Sequence, residues 1–294
     1  MSGNHVGYQS ISIVVPNKKC INNCAFCVSK MHTEDYKNQM DGNLPFYDLY
    51  LKDYMKRLEY ARDNGVNTVM LTGNSEPQQN RRFLVDFGMM MQLMERPFRN
   101  IEMQTTGWGL DKNYLRFLRN HVGVNTISLS VSSMNNEINA EIIGFPNLGV
   151  LDLTALCSLI KEYDFNLRLS LNLNKSFGDV LFEPKYLLRR CSEFGADQVT
   201  LRVLYASGEN QQSQWIKENE MSQHTICELK EHIQNYPKIG ILPYGATMYN
   251  VFGMSVVLDD DCMAQELKEE QKYLILRENC KLYSKWDTKA SLVF

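Results

Sequence analysis

Three segments of this chain alternate polar and apolar residues with a period of two, which is the signature of β-strands with two unlike faces. In Thr126-Ile127-Ser128-Leu129-Ser130-Val131-Ser132 and in Asn166-Leu167-Arg168-Leu169-Ser170-Leu171-Asn172-Leu173-Asn174 the alternation has no exception. Gln198-Val199-Thr200-Leu201-Arg202-Val203 repeats it until Leu204. Period two collects the polar members of each strand on one face. Residues 10–15, 67–71 and 101–105 are three earlier strand-like runs, and helix-like stretches separate all six. Such βα alternation builds a parallel sheet whose helices cover the apolar face. The other face then carries Ser, Asn and Arg, which suits neither open solvent nor the branched packing inside a closed eight-stranded barrel. The expected fold is therefore α/β, a partial (βα)6 barrel around a polar cavity, with the loops after the strands gathered at one rim.

Helical spacing of Leu51, Met55, Leu58 and Ala61, stopped by Gly65, predicts a helix within 46–64. Met89, Met90, Met91 and Met94 read as core filler. Past residue 206 the βα rhythm stops. A polar helical stretch (210–236) is followed by extended runs at 239–245 and 252–258, then by a hairpin pairing 273–277 with 281–286. These changes divide the chain into a barrel (1–206) and a C-terminal extension (207–294) containing a small antiparallel β-hairpin, expected to cap the barrel. Asp259-Asp260-Asp261 reads as a solvated turn, with a substrate or metal role as the sharper alternative.

Three of the eight cysteines, Cys20, Cys24 and Cys27, fall in a C-x3-C-x2-C loop directly after the first strand, while the other five are scattered singly. Thiolates this close can converge on a metal centre. Structural zinc wants a fourth protein ligand, for which only His32 is near. An iron–sulfur cluster held by three thiolates leaves one iron open to a small molecule. A redox-sensing cysteine group is the remaining alternative. No run approaches the eighteen apolar residues of a membrane span, and the start lacks the regions of a signal peptide, so a cytoplasmic protein is expected. Thirty-one Lys and Arg against thirty-four Asp and Glu, a net charge of −3, leave no basic block for bulk nucleic-acid binding. No Ser/His/Asp triad or H-E-x-x-H motif is present, and the five histidines are isolated.

Cys20, Cys24, Phe26 and Cys27 make a C-x3-C-x-aromatic-C loop that resembles that of the radical S-adenosylmethionine (radical SAM) superfamily. The resemblance implies one [4Fe-4S] cluster on the three cysteines, whose open iron chelates the amino and carboxylate groups of S-adenosylmethionine. It implies reductive cleavage of that cofactor to a 5′-deoxyadenosyl radical, which abstracts hydrogen from substrate, and an external one-electron donor such as flavodoxin or ferredoxin. The family's fold is also a six-unit partial barrel. Phe26 would pack near the adenine, or simply cover the cluster. Gly73-Asn74-Ser75-Glu76 stands where the family has a glycine-rich segment ending in glutamate that holds the cofactor's ammonium, with Asn74 and Ser75 departing from glycine. As an alternative, Gly73 and Pro77 only make the turn into a helix. Ser130 and Ser132 resemble the hydroxyl positions that meet the ribose or carboxylate. Arg168 or Arg202 suits the carboxylate, and either could instead pair with Glu102, which shares a strand face with Gln104. Gln104, Asn172 and Leu204 complete the positions carried over to the cofactor. Polar groups beyond these point to a small polar substrate, a nucleotide-derived one among the candidates. The other readings are a non-catalytic iron–sulfur or zinc module for sensing or electron transfer, and a radical enzyme that modifies a peptide or RNA.

Overall fold

Strands form at all six expected runs: β1 (Tyr8–Val14), β2 (Thr68–Thr72), β3 (Asn100–Thr105), β4 (Thr126–Val131), β5 (Asn166–Leu173) and β6 (Gln198–Val203). They belong to a computed structural model that describes residues 8–39, 50–145, 149–178, 183–242, 245–259 and 271–294. Neighbours in sequence are neighbours in the sheet, and each pair is parallel. The apolar members, among them Ile13, Leu71, Met103, Leu129, Leu169 and Leu201, are fully or almost fully buried in one continuous core.

Helices lie over that apolar face, and side-chain caps start several of them. Asn80 caps α4 (Arg81–Leu93), Asp111 caps α5 (Lys112–Phe117), Asn135 caps α6 (Asn136–Ile143) and Asp152 caps α7 (Leu153–Glu162). Each cap satisfies an amide that the first turn leaves without a partner. The predicted first long helix is α3 (Leu51–Asp63), which buries Tyr54, Leu58 and Ala61. On α4 and just past it Met90, Met91 and Met94 are buried, but Met89 is exposed. The core-filler expectation is corrected at Met89, because three consecutive helical residues cannot all face one side. Asn80 also donates from Nδ2 to the Pro16 carbonyl, joining the start of α4 to the chain leaving β1. Asn80→Ala should therefore cost about 1–2 kcal/mol, read as a lowered urea midpoint of the apoprotein.

Past residue 206, five further strands among the described residues join the same sheet. β7 (Lys238–Ile241), β8 (Thr247–Val251) and β9 (Met254–Asp259) form an antiparallel meander, and β9 then pairs in parallel with β6. β10 (Gln271–Leu276) pairs in parallel with β1 and antiparallel with β11 (Leu282–Tyr283), the expected hairpin. The sheet order is β11-β10-β1-β2-β3-β4-β5-β6-β9-β8-β7, with eight mutually parallel strands from β10 to β9. Side chains of β10 and β9, the two ends of the parallel run, meet around one cavity, so this part of the sheet curls into a trough. The polar members fall in belts across its inner face. Gln104 pairs with Ser128, Ser128 with Arg168 and Arg168 with Gln198; further along the strands Asn172 pairs with Arg202 and Arg202 with Asp259.

Candidate active site

The cysteine loop leaves β1 beside β2, where the Val15 amide donates to the Thr72 carbonyl at 2.9 Å. Its outer side docks on the end of α6. The Asn23 amide donates to the carbonyls of Ile143 and Gly144, both at 3.2 Å, and the Ala25 amide to Ile142 at 2.9 Å. Gly144 has φ +64°, and a Cβ there would lie 2.8 Å from the Asn23 carbonyl oxygen. Only glycine allows the loop and helix to approach this closely.

The inner side of the loop is tied to the segment after β2. The Ile21 amide donates to Gln79 Oε1 at 2.9 Å, and Gln79 Nε2 donates to the Lys19 carbonyl at 3.0 Å. Asn22 Nδ2 donates to Glu76 Oε1 and to Thr106 Oγ1, both at 2.9 Å. Glu76 is buried and also accepts from the Thr105 hydroxyl at 2.6 Å, Gln78 Nε2 at 2.8 Å and the Thr106 amide at 3.2 Å. Burial pushes its pKa up, and the hydrogen bonds from Thr105, Thr106 and Gln78 oppose that rise. Glu76 thus joins the cysteine loop, the turn after β2 and the end of β3.

A cavity of about 240 Å³ opens beside this network. Cys24, Phe26 and Cys27 line one side, and Gly73, Ser75 and Glu76 another. Gln104, Ser130, Asn172, Arg202 and Leu204 add the ends of β3 to β6. Nine of the twelve cofactor positions named from the sequence therefore meet here. Asn74, Ser132 and Arg168 do not line it. Asn74 instead hydrogen-bonds the buried carboxyl of Glu278, in the turn after β10. Ser132 is fully buried; its Oγ and that of Ser130 accept from Asn172 Nδ2, at 3.2 and 2.9 Å. Arg168 is the arginine that pairs with Glu102, at 2.5 Å, and its Nε and Nη2 donate to Gln198 Oε1. Among the residues that sequence reasoning missed are Asn22, Gln78, Gln79, Thr105, Thr106 and Gly144, whose parts in the site depend on partners distant in the chain, and Ser128 and Ser170, whose polar strand phase was a usable signal.

Cys20 is half-buried just outside the cavity lining and accepts from the Asn22 amide at 3.4 Å. Burial raises the pKa of Cys20 and raises that of Cys24 strongly. A bound cation reverses that preference and favours thiolates. Among the described residues no three His, Cys, Asp or Glu side chains gather as ligands of a single ion. His32 Nδ1 lies 2.9 Å from Asp35 Oδ2 and its buried Nε2 has no hydrogen-bond partner, but among the described residues His32 gathers with no two of the cysteines, so the zinc alternative gains no fourth ligand from it. In a cubane cluster each thiolate meets a different iron, and the donor set of three thiols on one loop suits that. The Ser75 hydroxyl is buried in the cavity wall with no protein partner, a polar atom left for a ligand.

A second cavity of about 430 Å³ lies along the trough and shares Ser29, Thr72, Gly73, Gln104 and Arg202 with the first. Glu102, Arg168 and Asp259 line it. Asp259 was expected in a solvated turn; it is instead buried at the end of β9 and lies 3.8 Å from Arg202, its partner in register. Asp260 and Asp261 lie outside the described residues. No helix among the described residues is long and apolar enough to cross a membrane.

No curated protein matches the chain in sequence. Among solved structures, native anSMEcpe with bound AdoMet is 14% identical over 77% of this chain and 61% of its own, with a TM-score of 0.50. Coproporphyrinogen III oxidase from Escherichia coli, described as a radical SAM enzyme, is 15% identical over 78% of this chain, with a TM-score of 0.44. A radical SAM methyltransferase from Sphaerobacter thermophilus is 15% identical over 69% of this chain and 54% of its own, with a TM-score of 0.46. The chain spans about half the length of the coproporphyrinogen oxidase, 52%. The likeness to native anSMEcpe concerns the fold alone. The Radical SAM superfamily model matches residues 14–172, more than half of the sequence, and runs from the end of β1 through the cysteine loop to Asn172. The chain belongs to the radical SAM superfamily, whose members are enzymes that bind a [4Fe-4S] cluster and S-adenosylmethionine.

Proposed function

We propose that Cys20, Cys24 and Cys27 hold the cluster, that S-adenosylmethionine occupies the smaller cavity against it, and that hydrogen is taken from a small polar substrate in the larger one. When bound, cluster and cofactor together supply a 5′-deoxyadenosyl radical. The protein supplies orientation and keeps water out. The observation that carries this reading is the smaller cavity, which has two of the three thiols in one wall and the segment after β2 in another.

Individual groups have distinct parts in it. The carbonyls of residues 73–75 and the unpartnered Ser75 hydroxyl suit an ammonium, since the Glu76 carboxylate is already engaged by Asn22, Gln78, Thr105 and Thr106. Arg202 is the arginine that reaches this cavity, and its guanidinium can fork onto a carboxylate. Ser130 accepts from Asn172, which leaves its own O–H to point at a ligand such as a ribose hydroxyl. Phe26, with its ring centroid 6.2 Å from that of Trp215, offers an aromatic face for adenine. Residues 1–206 carry the cofactor chemistry, and residues 207–294 complete the wall of the substrate chamber. An external one-electron donor such as flavodoxin or ferredoxin and a reducing, cytoplasmic compartment go with this chemistry.

A non-catalytic iron–sulfur module is the alternative, and it has no use for a chamber of about 430 Å³ next to the cofactor cavity. Anaerobic reconstitution with iron and sulfide, then addition of dithionite and S-adenosylmethionine, separates the two. The proposed enzyme gives a reduced-cluster EPR signal that changes on adding S-adenosylmethionine, and forms 5′-deoxyadenosine. A Cys24→Ala protein that still forms it at the wild-type rate would sink the assignment.

A further inference from the structure

The larger cavity has walls of two kinds. We infer that it receives an uncharged, planar heteroaromatic ring of the nucleobase class, a reading that rests on the proposed use of the smaller cavity and names the substrate chemistry beside it.

One wall is aromatic. It is made by Tyr36 from α2 (Thr33–Gln39), Tyr273 from β10, and Trp286 past β11. The Trp286 ring centroid lies 6.1 Å from that of Tyr36 and 6.4 Å from that of Tyr273. Arg277, 0% exposed, braces this wall. Its guanidinium carbon sits 4.3 Å from the Tyr36 centroid and 5.0 Å from that of Trp286, and Nη2 donates to the Trp286 carbonyl at 2.8 Å. A buried guanidinium against two rings holds them in place, so the wall is built before any ligand arrives.

The other wall comes from the far end of the parallel run, where Gln198, Thr200 and Arg202 of β6 and Ser255 and Asp259 of β9 present donors and acceptors. An aromatic surface on one side and hydrogen-bonding groups on the other fit a flat ring with a polar edge. The charges here come in opposed pairs, Arg168 with Glu102 at 2.5 Å and Arg202 with Asp259 at 3.8 Å. A phosphate-rich ligand therefore meets no net positive field. The volume of about 430 Å³ lies within the range of roughly 300–1,000 Å³ usual for small-molecule sites.

Trp286 stands in the wall and supplies the readout. Reconstituted protein, saturated with S-adenosylmethionine so that the smaller cavity is filled, is titrated anaerobically with guanosine, adenosine, cytidine and uridine. Ribose and a short single-stranded oligoribonucleotide are the comparison probes. Binding is followed by tryptophan fluorescence and equilibrium dialysis. At least one nucleoside should bind and quench the signal where ribose does not. Tyr36→Ala should weaken it about tenfold and Tyr36→Phe should restore it, while Asp259→Asn should change which nucleoside is preferred. The inference is overturned if no nucleoside binds better than ribose, or if Tyr36→Ala binds as wild type. It is overturned in its small-molecule form if the oligoribonucleotide binds more tightly than every nucleoside. Formation of 5′-deoxyadenosine by the wild-type protein alone tests the smaller cavity separately, so the two readings can fail independently.

Discussion

Glu76→Ala is expected to prevent stable cluster incorporation and to lower the stability of the apoprotein by about 3–5 kcal/mol. The carboxylate is buried and accepts from Asn22, Gln78, Thr105 and Thr106. Removing it leaves those donors without their acceptor, at about 1–3 kcal/mol for each one that stays buried and unpaired. It also leaves the side chain of Asn22, which sits between Cys20 and Cys24, held only by its bond to Thr106 Oγ1. Glu76→Gln keeps the volume but puts a donor where donors already converge, so an intermediate loss of about 1–3 kcal/mol is expected. Urea unfolding of the apoproteins measures the first quantity, and iron and acid-labile sulfide after reconstitution measure the second. Full iron content in Glu76→Ala would show that the loop holds its shape without this hub. The pH dependence adds a sign. Because the folded pKa is raised above its ordinary value of 4.5, the native state binds more protons than the unfolded state just above that value. Wild-type apoprotein should therefore lose stability relative to Glu76→Gln as pH rises through that window. Glu278, also raised by burial, contributes equally to both proteins and cancels in the comparison.

Gly144→Ala should lose the cluster with all three thiols intact. The added Cβ would stand 2.8 Å from the Asn23 carbonyl oxygen and 3.0 Å from its carbonyl carbon, on a backbone with φ +64°. The left-handed conformation costs an L-residue about 1–2 kcal/mol and the overlap about 1–3 kcal/mol more. Relief comes by moving the loop, since the other side is the end of a packed helix, and that motion breaks the amide bonds from Asn23 and Ala25. The contrast with Cys24→Ala is informative. That substitution removes a ligand and should leave the melting of the apoprotein nearly unchanged, whereas Gly144→Ala should lower both the melting temperature and the iron bound. Wild-type iron content in Gly144→Ala would mean that the docking on α6 does not shape the loop.

Much of this architecture was readable from the strands alone. In β4, β5 and β6 the strict alternation reflects a lumen that wants polar groups and a core that wants Ile127, Leu169 and Leu201, so both faces leave a mark. Cysteine spacing was equally legible, because the geometry of a short loop is local. What escaped reading depends on partners far away in the chain. Nothing around Asp259 announces that β9 will lie beside β6, and without that neighbour a run of three aspartates reads as solvated. β10 likewise finds β1 across nearly the whole sequence. The part of Gly144 in the site was hidden for a different reason, since a glycine ending a helix is fully explained by its positive φ. Glu76 was placed in the site, but its bonds to Asn22 and Thr106 arise only when three loops meet.

The positions of β9 and β10 also bear on how the chain reaches this state. They are successive strands among the described residues, yet they stand at opposite ends of the eight-stranded parallel run. While synthesis has passed β6 but not yet reached them, the growing sheet has bare edges at β1 and at β6. Such pairings close slowly, because ends far apart in the chain must be brought together. During that interval the cysteine loop stands at the rim of a trough that is open along both sides, and the unpaired edges are prone to association. Cluster delivery before residues 271–276 have docked would therefore meet the least obstruction, and a chain released short of β10 should aggregate rather than persist as a smaller enzyme.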